Sequence, residues 1–256
     1  MKHARVAYAG NIHHAVSQGD SYLLLDNGRV ISEDSVVWLP PVTPGIILAV
    51  GLNYSSHAKE LQFSAPTEPL AFPKAVTSLV GHLGQTRRPA GVSYMHYECE
   101  LAVVIGKTAR AVSRRQAHDY IAGYTIANDY AVRDYLENYY RPNLRVKSRD
   151  EATPLGPWLV DASDIADPMN LGLTTSVNGR LTQQGNTKDM VFDIAALIEY
   201  FTGFMTLEAG DLILTGTPEG LVNVDVGDEV VSEIEGIGRL VNTVVGDWSV
   251  SARVEG

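Results

Sequence analysis

Apolar residues in this chain come in short runs set between turns that carry glycine, proline or asparagine. The runs IILAVGLN (46–53), LAVVIG (101–106), GYTIANDYAV (123–132), DLILTG (211–216), DEVVSEIE (228–235) and GRLVNTVVG (238–246) read as strands. LTTSVNGRLTQQG (173–185) holds Asn178-Gly179 between two such runs, the strongest short-range hairpin signal. Helical periodicity is rarer. Val191, Ile194, Ala195, Leu197, Ile198 and Phe201 recur at helix spacing within 189–204. Ser113 is placed to cap a helix over 114–121, and 54–62 fits a short helix with an exposed face. Strand outweighs helix, and the order does not alternate strand and helix. The expected class is α+β with a mixed sheet rather than a doubly wound one.

One seam interrupts the pattern. Leu39-Pro-Pro-Val-Thr-Pro44 carries three prolines, which favour extended backbone and remove donors. It divides the chain into a small N-terminal β extension, 1–42, and a main domain, 43–256.

Composition narrows the function. Thirty acids against twenty Lys and Arg give a net charge of −10, a poor match to a phosphate backbone, so no nucleic-acid partner is expected. A single cysteine excludes an internal disulfide and a multi-cysteine zinc site. The N-terminal MKHARVAYAGNIHHAV lacks an uninterrupted apolar core, and no stretch is apolar enough to span a bilayer. The expectation is a cytoplasmic protein with no membrane partner.

The candidate chemistry begins at Glu98-Cys99-Glu100, which leads into an apolar strand. Strand period two puts Glu98 and Glu100 on one face. Two carboxylates entering so apolar a sheet repel and are costly to desolvate, unless they stay on a solvated strand end or share a cation. Oxygen-only ligation suits Mg²⁺, Mn²⁺ or Ca²⁺ rather than zinc. Asp129, inside the apolar 123–132 run, is a third acid in need of a partner. Just beyond it the charge reverses. Arg133, Arg141, Arg145, Lys147 and Arg149 stand against only Asp134 and Glu137, as expected where an anion is bound. On a helix, His57 and Glu60 would meet at i, i+3, the pairing of an oriented imidazole acid–base. The 214–220 loop, LTGTPEG, offers Thr217 and backbone N–H groups to an anion but lacks Walker spacing. Gln183 or Gln184, after the hairpin turn, is a further substrate-side candidate, with Gln184 preferred.

Taken in order, GLNYSSHAKE, ECE, NDYAVRD, KSRD and TGTPEG resemble the fumarylacetoacetate hydrolase family over about Ile46 to Val245. The resemblance implies a mixed β-roll with a few flanking helices, usually dimeric. It implies Mg²⁺ (or Mn²⁺) held by Glu98, Glu100 and Asp129. It implies proton transfer by His57 oriented by Glu60, oxyanion stabilisation by Lys147, and substrate contacts from Arg133 and Thr217. Arg141 and Arg145 join them on the charge argument alone.

HYECELAVVIGK, NDYAVRDYLENYYRPNLRVKSRDEATPLGPW and FMTLEAGDLILTGTPEGL are most similar to the family's isomerase/decarboxylase branch. That implies decarboxylation of 5-oxopent-3-ene-1,2,5-tricarboxylate, ketonisation of 2-hydroxyhepta-2,4-diene-1,7-dioate to 2-oxohept-3-ene-1,7-dioate, or both. The expected substrate is thus a di- or tricarboxylate 2-oxo acid. The expected assembly is a homodimer or a pair with a homologous subunit. The alternatives are an acylpyruvate (fumarylpyruvate) hydrolase, with oxaloacetate decarboxylation as a side activity, and a non-catalytic Ca²⁺- or anion-binding β module.

Overall fold

The structure, a computed structural model, describes residues 1–19, 21–56, 66–136 and 144–248. His57, Glu60 and Arg141, and most of the expected 54–62 helix, lie outside the described residues.

Nineteen strands occur among the described residues. The N-terminal ones are β1 (Lys2–Tyr8), β2 (Asn11–Ser17), β3 (Tyr22–Leu25), β4 (Val30–Ser32) and β5 (Val37–Leu39). There follow β6 (Ile47–Gly51), β7 (Leu70–Lys74), β8 (Leu79–Val80), β9 (Gln85–Arg88), β10 (Met95–His96), β11 (Cys99–Ile105), β12 (Ile121–Asn128), β13 (Ala131–Val132) and β14 (Thr153–Asp161). The last are β15 (Gly172–Val177), β16 (Arg180–Asn186), β17 (Leu212–Leu214), β18 (Glu229–Ile234) and β19 (Gly238–Gly246).

Twelve strands form one sheet, in the order β4-β3-β2-β1-β14-β12-β11-β17-β6-β7, with β5 on β1 and β8 on β14. A five-stranded sheet runs β16-β15-β18-β19-β9, and β10 pairs with β13. Most pairs are antiparallel, whereas β17–β6, β14–β8 and β19–β9 are parallel, so the sheets are mixed.

The elements follow from their residues. All seven residues of β11 are buried, because both faces of the large sheet are covered. On one face Leu101, Val103 and Ile213 pack with Ile194, Leu197, Ile198 and Phe201 of a helix, Ile194–Phe204. Asp193 caps that helix, its carboxylate accepting the Ala196 N–H at 2.8 Å. On the other face Ala49, Ala102, Val104, Ala127, Leu155 and Leu214 make a second core. The β15–β16 hairpin turns at Asn178 and Gly179, with φ of 50° and 76°, the two left-handed residues a type I′ turn requires.

Two local expectations are revised. The 123–132 strand is interrupted: β12 stops at Asn128 and the chain resumes as β13, leaving Asp129 and Tyr130 between them. The turn at Asp129 is stabilised by its N–H donating to the Glu98 carbonyl at 2.8 Å. Arg114–Tyr120 is a 3₁₀ segment rather than an α-helix. The Ser113 hydroxyl there donates to Gln116 Oε1 at 2.7 Å instead of capping a backbone N–H. The first 42 residues are β structure, but they are continuous with the rest. β1 pairs with β14, and Val6, Leu23 and Trp38 share the core of Leu101.

Candidate metal centre

The antiparallel register sets Cys99 opposite Asn128. The Asp129 N–H bond to the Glu98 carbonyl carries this pairing one residue further. Cys99 and Asn128 face one way; Glu98, Glu100 and Asp129 face the other. One carboxylate oxygen from each of the three acids lies within 4.8 Å of the others, and all three side chains are buried.

Three cations surround the acids. Lys147, closing a short helix Leu144–Lys147, donates to Glu98 Oε2 at 2.6 Å and to Asp129 Oδ2 at 3.0 Å. Lys74, at the end of the edge strand β7, donates to Asp129 Oδ1 at 2.5 Å and to the Lys147 carbonyl. Arg133 Nη2 donates to Glu98 Oε1 at 3.2 Å. Its Nε–H points at His96 Nε2, 2.5 Å away. His96 Nδ1 lies 3.0 Å from the Tyr97 carbonyl, which can only accept, so Nδ1 holds the hydrogen and Nε2 is free to accept. Burial keeps this imidazole neutral, its pKa held down to about 3.

The two lysines sit on one carboxylate yet shift oppositely. For Lys147 the pull of Asp129 and Glu98 outweighs burial and raises the pKa, whereas for Lys74 burial wins over Asp129 and lowers it. Glu100 differs from its neighbours. Among the described residues no lysine or arginine pairs with it directly; its contact is the Gly216 N–H, donating to Oε2 at 2.6 Å. Burial, then the Asp129 and Glu98 charges, push its pKa well up. A buried acid short of a counter-charge, beside two more carboxylates, fits a hard divalent cation, so the triad can hold a metal.

The Gly216 contact depends on local backbone. Gly216 has φ of 90°, and a Cβ there would lie 2.9 Å from Asn53 Cβ. The buried Asn53 amide donates to the carbonyls of Thr215 (2.8 Å) and Phe192 (3.0 Å), tying the end of β6 to the end of its parallel neighbour β17. Thr217 follows, buried, its Oγ1 accepting from Gln183 Nε2 at 2.8 Å.

The structure thus brings together Glu98, Glu100, Asp129, Lys147, Arg133 and Thr217. It does not bring Arg145 or Gln184 to them. Arg145 is exposed, with its guanidinium 3.8 Å above the Tyr135 ring. Gln184 faces outward, and the inward glutamine is Gln183. Sequence reasoning missed Lys74, a lone lysine after Pro73 with no motif around it, and His96 and Asn53. The last two stood inside quoted motifs, and their burial was the missing signal.

Comparison with known proteins agrees with this geometry. Residues 46–245 match the family model described as fumarylacetoacetate (FAA) hydrolase, C-terminal. Over 249 residues the chain is 53% identical to the 4-hydroxyphenylacetate degradation bifunctional isomerase/decarboxylase of Salmonella dublin, covering 93% of this chain and 58% of that one. The chain thus spans little more than half the length of that relative. The crystal structure of 5-carboxymethyl-2-hydroxymuconate delta-isomerase from Mycobacterium smegmatis superposes with a TM-score of 0.87 at 37% identity, over 97% of this chain and all of that one. Maleylpyruvate hydrolase from Sphingobium sp. SYK-6, solved in complex with manganese (II) ion and pyruvate, superposes with a TM-score of 0.82 at 28% identity, over 97% of this chain and 100% of its own. A buried Glu-Cys-Glu and Asp triad, the mixed sheets that hold it, and a family match running from β6 to β19 lead to one assignment: the chain belongs to the fumarylacetoacetate hydrolase family.

Proposed function

We propose that this chain is a divalent-metal-dependent enzyme of 2-oxo acids. Its reaction is decarboxylation of 5-oxopent-3-ene-1,2,5-tricarboxylate, ketonisation of 2-hydroxyhepta-2,4-diene-1,7-dioate to 2-oxohept-3-ene-1,7-dioate, or both. The observation that carries the reading is the balance of charge at the buried triad. Three carboxylates share the site with three cations, Lys74, Lys147 and Arg133, all of which pair with Glu98 or Asp129 and leave Glu100 without an ion pair. A dication added to that balanced set leaves a surplus of two positive charges. A chelating 2-oxo acid, with one carboxylate and a developing enolate, supplies two negative ones. A simple Ca²⁺-binding module has no use for two buried lysines that compete with its metal for ligands. The supported metals are Mg²⁺ and Mn²⁺, since all three donors are hard oxygens and a related hydrolase was solved with manganese.

A bound Mg²⁺ or Mn²⁺ supplies a Lewis acid that polarises the 2-oxo group. The chain's own residues do the rest. Lys147, held between Glu98 and Asp129, keeps a positive charge where the enolate oxygen develops. Arg133 is steadied at Nε by neutral His96 and reaches toward a carboxylate with the remainder of its fork. Thr217 offers its hydroxyl to the same anion. His57, oriented by Glu60, is the proposed proton carrier to the far carbon. The same proposal includes a homodimer, or a pair with a homologous subunit. Among the described residues no helix is long and apolar enough to cross a membrane.

The test is CO₂ release from the tricarboxylate by the purified chain, with Mg²⁺, with Mn²⁺ and with chelator. A metal-dependent release supports the decarboxylase. Loss of the dienoate absorbance of 2-hydroxyhepta-2,4-diene-1,7-dioate supplied separately, with no CO₂ release from the tricarboxylate, supports the isomerase alone. Cleavage of fumarylpyruvate with neither would replace this reading by the hydrolase.

A further inference from the structure

Gln183 lies on β16 with its side chain buried, and its carboxamide can be oriented from its partners alone. One end of the amide is 2.8 Å from the Pro218 carbonyl, which only accepts, so that end is Nε2. Its second hydrogen goes to Thr217 Oγ1, also at 2.8 Å. Oε1 then faces Thr175 Oγ1 at 3.0 Å, and Thr175 must donate. Behind Thr175 come Ser232 Oγ at 3.5 Å and the Asn128 amide, whose Nδ2 donates to Ser232 at 3.4 Å. Asn128 Oδ1 accepts the Glu98 N–H at 2.9 Å. Thr175, Ser232 and Asn128 are each fully buried, and Gln183 and Thr217 are 2% exposed. The polar line therefore runs from the backbone of a candidate metal ligand to the threonine beside Gly216.

The fit between β16 and the 216–220 loop leaves little slack. A Cβ on Gly185 would lie 2.6 Å from Pro218 Cγ, and one on Gly220 would lie 2.7 Å from the Thr182 carbonyl. The Pro218 ring thus sits directly on Gly185, and the Gly220 backbone directly on that of Thr182. Thr217 Oγ1 accepts from Gln183, and no acceptor for its own hydrogen occurs among the described residues.

We infer that Gln183 is a positioning residue: by occupying a lone pair of Thr217 Oγ1, it leaves that hydroxyl to present its hydrogen to the carboxylate of the proposed substrate. Reversing the amide would turn the hydroxyl into an acceptor aimed at an anion, which repels. The assignment deepens the proposed reading of the site, because it takes the ligand of Thr217 to be the substrate anion.

The test is a double-mutant cycle in the full chain, read by calorimetric titration of oxalate with and without Mn²⁺. Thr217→Val should weaken oxalate about tenfold or more, the usual worth of a hydrogen bond to a charged group. Gln183→Met, similar in volume but unable to bond, should weaken it severalfold. Gln183→Glu, whose carboxylate would take the Thr217 hydrogen, should match Thr217→Val. On the Thr217→Val background, Gln183→Met should change oxalate affinity less than twofold. Mn²⁺ affinity of Gln183→Met should match the parent, while its melting temperature should fall, because the Pro218 carbonyl and the Thr175 hydroxyl lose their buried partner.

Unchanged oxalate binding by Gln183→Met would overturn the inference. So would an equal loss on both backgrounds, which would mean that Gln183 acts on the fold and not through Thr217. Failure of the parent chain to bind Mn²⁺ would overturn the metal-centre reading alone, and the metal-free oxalate cycle would still read the coupling. No oxalate binding under either condition would overturn the inference.

Discussion

The Lys74 ammonium lies 2.5 Å from Asp129 Oδ1, with 0% and 1% of the two side chains exposed. A lysine from an edge strand is thereby committed to a carboxylate that a metal would also claim. Lys147 holds the other oxygen of the same group. Asp129 thus sits between two cations, and a bound dication must share it with both.

Removal of Lys74 should therefore separate stability from metal affinity. Breaking a buried ion pair costs about 3–5 kcal/mol when it strands a charge. Here Lys147 remains on Asp129, so the metal-free Lys74→Met protein should lose less than that, about 2 kcal/mol by denaturant titration. Its Mn²⁺ affinity should rise, because a competing positive charge is gone. Weaker Mn²⁺ binding would mean that Lys74 orients Asp129 for the metal rather than competing with it.

Glu100→Gln tests the ligand set from the other side. The substitution removes a buried acid that has no direct ion pair among the described residues and whose charged form is disfavoured by burial and by Asp129 and Glu98, so the metal-free protein should be as stable as the parent or more so. Mn²⁺ affinity by calorimetry should fall about 100-fold or more, as expected for loss of one of three charged ligands. Undiminished affinity would remove Glu100 from the set.

Arg133 and Arg145 should differ in kind. Arg133 touches Glu98, whereas Arg145 is stacked on Tyr135 at the surface. Arg133→Ala should raise KM for a dicarboxylate substrate by about tenfold or more, as loss of a charged contact does. Arg145→Ala should raise KM far less, and its lost stacking is worth about 0.5–1 kcal/mol of stability. The reverse order of KM effects would return dicarboxylate recognition to Arg145.

A pH dependence of stability follows from His82. Its ring packs edge-on to Trp38, and Nδ1 accepts the Val241 N–H at 3.1 Å. Burial, aided by Arg239, holds its pKa down to about 4 against an ordinary 6.5. Between those values the unfolded chain binds a proton that the folded chain refuses, so stability is full above pH about 6.5 and falls as pH drops toward about 4. The loss is of the order of 3 kcal/mol across that window. His82→Gln, which keeps an acceptor, should flatten the slope in denaturant titrations. Equal slopes would clear His82 as the source.

Much of the candidate metal centre was legible because it is local. Glu98 and Glu100 share a face by strand period alone, and an acid inside an apolar run at Asp129 signalled a buried partner. The cations were legible only as a charge reversal over 133–149, which could not say that Lys147 turns inward while Arg145 stacks outward. In a helix as short as Leu144–Lys147, two residues decide that direction, and packing chooses between them. His57 and Glu60 remain expectations of the resemblance, and Arg141 one of the charge argument.

The sequence by itself determined the α+β class, the hairpin at Asn178-Gly179 and the common face of the Glu98–Glu100 pair. Each of these follows from backbone geometry between near neighbours. Only the tertiary structure decided that Lys74 meets Asp129, and that Gln183 rather than Gln184 meets Thr217. The first depends on sheet order, which brings the end of an edge strand across to a residue 55 positions away. The second depends on a bulge: the β15–β16 register slips between Thr175 and Ser176, leaving Thr182 unpaired. Thr182 and Gln183 then both face inward, toward Tyr97 and Thr217, against the alternation that a regular strand would impose.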